Sequence, residues 1–339
     1  MHKLGACLSA ALLIFAAPAK AQAPGAIAPA AIFADPYPAH AVKFPGGVIG
    51  MPDMVFAGYT GYRPLTLDLY LPLARPKPIP LVVFIHGGSL KSANARFAIG
   101  IPDFPSRLAA LAARGYVVAS VNYRLRDEAR FPAQVRDVKA AIIFLRANAA
   151  RYNIDPSRAV VWGGSSGGQL AVLVAMTCGK AEFAPRPSSS RPMLPEVAAA
   201  NEMHVSDCVQ GAVSWYGDLA LSQEAGDPDI AAFLGCNPCG PADIASADPM
   251  TFASAAAPPL LIIQGMDTAS VLLTEARAMA ARLVELKAPV ETLYIPDVGH
   301  GFVGKTSQVT RDANDKALAR TFDYIDKVFA GSSLYSTTK

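Results

Sequence analysis

Trp162-Gly163-Gly164-Ser165-Ser166-Gly167-Gly168 is the stretch that decides the fold. Ahead of it, Ala159-Val160-Val161-Trp162 is a continuous apolar run, the composition of a strand covered on both faces. Behind it, Gln169 to Thr177 continues as an apolar helix. A strand that enters G-x-S-x-G and leaves directly as a helix is a nucleophile elbow. The serine sits on a strained turn with its Oγ exposed, and small residues two places before and after let strand and helix approach. The helix N-terminus adds unpaired N–H groups and a positive dipole end, which favour a developing oxyanion. Two frames fit the spacing. Gly163-x-Ser165-x-Gly167 makes Ser165 the nucleophile, and Gly164-x-Ser166-x-Gly168 makes it Ser166.

Outward from the elbow, short β-type runs alternate with longer helical ones. Val48 to Phe56 and Leu65 to Leu71 alternate at period two and predict an edge hairpin. Leu81 to Ile85, Tyr116 to Val121, Val209 to Tyr216, Leu260 to Ile263 and Val290 to Ile295 predict further strands. Helices are expected at Phe104 to Arg114, Pro132 to Tyr152, Leu272 to Leu286 and Asp312 to Phe329. There is no internal repeat. The alternation predicts an α/β chain with a mostly parallel sheet and helices on both faces. Residues 22–47, rich in Ala and Pro, read as an extended arm. Residues 48–330 read as one catalytic domain, with irregular, cap-like insertions at about 179–207 and 218–257, and 331–339 as a tail.

Three further loops carry chemistry. His86-Gly87-Gly88-Ser89 follows the Leu81–Ile85 strand and can turn backbone N–H groups toward the elbow as an oxyanion hole. Asp297-Val298-Gly299-His300-Gly301-Phe302 follows the last strand and offers a general base. Of the five histidines, His2 lies at the extreme N-terminus, His40 in the arm, His86 in the glycine loop and His204 in an insertion, which leaves His300. Gln264-Gly265-Met266-Asp267 closes a buried strand, so Asp267 is the expected acid that orients the imidazole, with Asp297 as the alternative.

The chain has 339 residues, 52% hydrophobic and 17% charged, with a formal net charge of +3. Its mean hydropathy is +0.28. That composition excludes a disordered chain and a small disulfide scaffold, and the charge leaves no footprint for nucleic acid. Part of the hydropathy comes from residues 1–21, which read as a secretory signal peptide. Lys3 precedes an apolar stretch from Leu4 to Ala17, and Ala19-Lys20-Ala21 offers a cleavage site. That stretch is shorter than the ~20 residues that span a bilayer, so no membrane span is expected after its removal. Removal takes Lys3 and Lys20 and no acid, so the net charge falls by two, from +3 to +1. The expected location is periplasmic or secreted. Four cysteines remain in an oxidising context, and the expected pairs are Cys178–Cys208 and Cys236–Cys239. Closing the former loop of ~30 residues contributes roughly 3–4 kcal/mol on the chain-entropy account.

From about Val48 to Phe329 the chain resembles the α/β-hydrolase superfamily. It is most similar to the hormone-sensitive-lipase-like and feruloyl/acetyl-esterase-like branch. The resemblance rests on Leu67-Asp68-Leu69-Tyr70-Leu71-Pro72, the His86 motif, Asn122-Tyr123-Arg124-Leu125, Phe131-Pro132-Ala133-Gln134, Tyr152-Asn153-Ile154-Asp155-Pro156, the elbow, Trp215-Tyr216-Gly217 and Gly299-His300-Gly301-Phe302. It implies Ser165 as nucleophile, with Ser166 where the family often has Ala. It places the oxyanion donors on the N–H groups of Gly88, Ser89 and Ser166. Asp267 stands one place closer to Gly265 than the family spacing. The expected activity is that of an exported serine carboxylesterase without metal or cofactor, acting on small or polysaccharide-linked esters. Its alternatives are an amidase, formamidase or peptidase of the superfamily, and a non-catalytic hydrolase-fold binding protein.

Overall fold

The computed structural model describes residues 41–59, 62–73, 76–185, 205–224, 226–267 and 271–331, all within the unit Ala39–Lys339. The strands are β1 (Val42–Phe44), β2 (Val48–Ala57), β3 (Leu65–Pro72), β4 (Ile79–Ile85), β5 (Val117–Val121), β6 (Ile154–Gly164), β7 (Gly211–Trp215), β8 (Leu260–Gly265) and β9 (Val290–Ile295). They form one sheet in the order β1-β2-β3-β5-β4-β6-β7-β8-β9. The β1, β2 and β3 edge is antiparallel, up to and including the β3–β5 pair. From β5 through β9 every pair is parallel.

Successive side chains of a strand face opposite sides, so each central strand feeds two cores. Leu81, Val83 and Ile85 of β4 join one core, with α2 (Ala133–Ala147), α4 (Ser166–Met176) and α7 (Val271–Glu285). Val82 and Phe84 join the other, with α1 (Phe104–Ala113) and α8 (Ser307–Phe329). The continuous apolar runs in the sequence are the signature of this double covering. In the second core Trp162 packs edge-on against Phe84 and Trp215, with centroids 4.9 and 4.8 Å apart.

Several elements differ from the sequence reading. The arm ends in β1, which pairs with β2 inside the stretch assigned to 22–47. The helix expected over 132–152 is two: α2, and the single turn α3 (Ala149–Tyr152), separated at Asn148, whose Nδ2 donates to the Phe144 carbonyl at 2.9 Å. The closing helix begins at Ser307 rather than 312, because Thr306 caps it and accepts the Val309 N–H at 3.2 Å. The second insertion is not irregular. It holds α5 (Pro228–Leu234) and α6 (Pro241–Ala247), with 3-10 turns at Leu221–Glu224 and Pro249–Phe252. Asp227 and Asp248, each followed by proline, cap two of these elements. An N-cap aspartate with proline at the first helical position is a start signal that the Pro/Gly content of the stretch obscured.

Both cysteine pairs are disulfide-bonded. Cys178–Cys208 joins the end of α4 to the approach of β7. Beneath it the buried Lys139 Nζ pairs with Asp207 at 2.6 Å. The signal peptide read at 1–21, His40, His204, the middle of the first insertion and the tail beyond 331 lie outside the described residues. Among the described residues no helix is long and apolar enough to cross a membrane.

Candidate active site

β6 delivers the chain to Ser165, whose backbone adopts φ 57° and ψ −131° before α4 begins at Ser166. Two glycines make this turn possible. A Cβ on Gly163 would lie 2.2 Å from the Gly167 carbonyl oxygen, and one on Gly167 would lie 2.1 Å from that of Ile85. Both obstacles are backbone, so neither can yield. The turn is held by the Ser165 N–H, which donates to the Trp215 carbonyl at 2.8 Å. The N–H groups of Gly168 and Gln169 donate back to the Ser165 carbonyl at 2.8 and 3.1 Å.

His300 arrives on the loop after β9, where the Gly299 N–H donates to the Val303 carbonyl at 2.9 Å. Its Nε2 stands 3.0 Å from the Ser165 Oγ. With the ring proton on Nδ1, the serine hydroxyl donates to Nε2, the alignment that a general base requires. Tyr216, which sequence reasoning did not single out as a site residue, packs edge-on against the imidazole at 5.0 Å. Its sequence signal was its place directly after β7. The partial burial of the ring lowers the His300 pKa below the ordinary imidazole value, so the free base is the resting form at neutral pH.

His86 plays no part at the serine. Its Nδ1 donates to the Gly87 carbonyl at 2.8 Å and its ring stacks on Tyr123 at 4.4 Å. Burial pushes its pKa down to about 4. The glycine loop it opens runs through three left-handed residues, Gly88, Ser89 and Leu90, at φ 102°, 53° and 57°. Among the described residues the N–H groups of Gly88, Ser89 and Ser166 donate to no other group. They are the donors that the resemblance placed at the oxyanion. A Cβ on Gly87 would lie 2.6 Å from the Gly164 carbonyl oxygen, a measure of how closely this loop meets the elbow.

The Asp267 backbone lies beside the His300 loop, but its carboxylate makes no hydrogen bond or ion pair with His300. Past the end of β8 the backbone is pinned to β9 and the loop after it, with the Met266 N–H on the Ile295 carbonyl and the Asp267 N–H on that of Val298, each at 2.9 Å. The Asp267 side chain is exposed, and among the described residues it makes no hydrogen bond or ion pair. Asp297 is likewise exposed and makes no bond to the ring. Residues 268–270, which follow Asp267, lie outside the described residues.

Ser165, Ser166 and His300 open into a cavity of about 390 Å³. Leu90, Leu221, Ile230, Phe233 and Leu272 supply its apolar wall. Opposite, Arg126 ties the loop after β5 to α5 through a 2.8 Å bond from Nη2 to Asp229. A second cavity of about 800 Å³ adjoins it, sharing Arg126 and Asp227 and lined also by Asp127 and Arg130. The insertion thus forms one wall of the site, through Ile230, Phe233 and Asp229.

The BD-FAE family model matches residues 67–283. Esterase LipC of Mycobacterium tuberculosis is 27% identical over 237 residues, covering 67% of this chain and 54% of that protein. The chain spans about half the length of the curated relatives it matches. Among solved structures, a bifunctional GH43-CE protein of Bacteroides eggerthii superposes with a TM-score of 0.65 at 26% identity, over 84% of this chain and 36% of that one. Propionate-bound Est2, an esterase of Thermogutta terrifontis, superposes with a TM-score of 0.62 at 24% identity, over 84% and 95% of the two chains.

Proposed function

The chain belongs to the BD-FAE family and has the α/β-hydrolase fold, and on that premise we propose that it is an exported serine carboxylesterase working through an acyl-enzyme. The observation that carries the proposal is the 3.0 Å approach of His300 Nε2 to the Oγ of Ser165 on a left-handed elbow. The reading of residues 1–21 as a signal peptide supports export.

His300 takes the hydroxyl proton of Ser165 as Oγ forms its bond to the ester carbonyl carbon. The carbonyl oxygen becomes an oxyanion, received by the N–H groups of Gly88, Ser89 and Ser166. Loss of one such donor costs roughly 3 kcal/mol of transition-state stabilisation. As the tetrahedral species collapses, the C–O bond to the alcohol breaks and the alcohol leaves with the proton held on His300. Water then repeats the sequence on the acyl-enzyme, giving its proton to His300 and releasing the acid and Ser165. The reading asks nothing of the Asp267 carboxylate. The apolar wall suits a short acyl or an aryl group, and the adjoining cavity, with Asp127, Arg130 and Asp227 in its lining, suits a hydroxyl-rich alcohol. Acetyl or feruloyl esters of polysaccharide, or small aryl and alkyl esters, are the substrates of this proposal.

The test is turnover of p-nitrophenyl acetate together with labelling by a fluorophosphonate. The wild-type protein should do both, and Ser165→Ala neither. Full turnover in Ser165→Ala, with loss in Ser166→Ala, would transfer the role to Ser166. Absence of both turnover and labelling in the wild type would refute the esterase reading.

A further inference from the structure

Ser166 contributes more to this site than a backbone N–H. Its side chain is 2% exposed, and its Oγ lies 3.2 Å from the N–H of Leu90 in the glycine loop. Tyr123, fully buried just past the end of β5, donates its hydroxyl to the His86 carbonyl at 2.9 Å.

The proton order along these contacts follows from which groups can only donate or only accept. The Leu90 N–H only donates, so Ser166 Oγ accepts there. The His86 carbonyl only accepts, so Tyr123 spends its one hydroxyl proton on it. The two bonds hold the two ends of the loop that carries Gly88 and Ser89. That loop includes three consecutive left-handed residues, a conformation that persists only where its surroundings hold it.

We propose that the Ser166 side chain is a positioning residue that clamps the glycine loop to the elbow and so holds the Gly88 and Ser89 N–H groups on the oxyanion. This rests on the esterase reading and adds a part that an alanine at position 166 cannot supply. Without the hydroxyl, the buried Leu90 N–H has no acceptor, and the loop relaxes toward one that does. The Ser166 N–H stays in place on α4, so the loss is smaller than removal of a donor.

The experiment compares wild type with Ser166→Ala. It reads kcat and KM on p-nitrophenyl acetate, inhibition by a trifluoromethyl ketone that forms a hemiketal oxyanion, and hydrogen exchange of the Leu90 amide. Ser166→Ala should lower kcat by about ten-fold, short of the roughly 10²- to 10³-fold lost with a whole donor. KM should stay within about two-fold, ketone affinity should fall in the same ratio as kcat, and Leu90 exchange should accelerate. Unchanged kcat and ketone affinity in Ser166→Ala overturns the proposal, as does unchanged Leu90 exchange. If the wild type neither turns over ester nor binds the ketone, the esterase reading fails, while Leu90 exchange still decides whether Ser166 holds the loop.

Discussion

Lowering the pH isolates one buried group in this protein, His86. Its ring is 1% exposed, and burial holds its pKa at about 4 in the folded chain, against 6.5 once the chain unfolds. Between those values the unfolded chain carries a proton there that the folded chain lacks, so stability falls as pH falls. The loss begins near 6.5 and is essentially complete below about 4. At about pH 5 the unfolded imidazole is almost fully charged and the folded one almost fully neutral. Over the roughly 1.5 pH units between about 6.5 and about 5 the unfolded chain holds up to one proton more than the folded chain, which corresponds to about 2 kcal/mol. Urea unfolding followed by fluorescence of the buried Trp162 and Trp215, with disulfides intact, measures it at about pH 7.5 and about pH 5. The comparison protein is His86→Asn, which cannot titrate. Both proteins lose stability through their other groups, His300 included, and those losses cancel in the difference. Wild type should lose about 2 kcal/mol more than His86→Asn over that range. Equal losses would show that His86 is not held neutral by burial, and with it that the stack on Tyr123 is not a dry seat.

Other outcomes follow from the site. Catalysis needs neutral His300, and burial lowers its pKa, so the acid limb of kcat/KM should have its midpoint below 6.5, the ordinary imidazole value. A midpoint at or above that value would mean that a carboxylate supports the ring. Asp267→Asn should change kcat by no more than about three-fold, since its carboxylate makes no bond to His300. A fall approaching the roughly 10⁴-fold typical of a triad acid would reinstate it. Gly163→Ala forces a Cβ to within 2.2 Å of a backbone oxygen. It should destabilise by roughly 1–3 kcal/mol or more, measured by urea unfolding, and remove most turnover. Ordinary stability and rate in that variant would contradict the tight elbow.

The sequence was most legible where one local rule decides a position. The apolar runs of β4, β6 and β8 are continuous because both faces of the sheet are covered. The 3.0 Å meeting of Ser165 with His300, 135 positions apart, joins a glycine-flanked serine to a histidine left by elimination. Two kinds of feature stayed hidden. Side-chain direction just past a strand end changes with a single residue, so spacing alone does not say whether the Asp267 carboxylate meets the ring. Contacts between distant segments leave no local pattern. Ser166 reads in sequence only as a departure from a common alanine, and the partner of its hydroxyl, the Leu90 N–H, comes from the distant glycine loop. The short helices α5 and α6 were missed because proline and glycine, the usual marks of a loop, here stand at the ends of helices only seven residues long.

The Cys178–Cys208 bond has a consequence for how this chain tolerates change. Its two ends stand on either side of residues 186–204, so the end of α4 and the approach of β7 are joined twice, once through the peptide chain and once through sulfur. A protease cut anywhere in that interval would leave one covalent molecule, which separates into two fragments only after reduction. The bond therefore keeps the strand that carries Trp215 and the helix behind Ser165 joined even when the peptide link between them is cut.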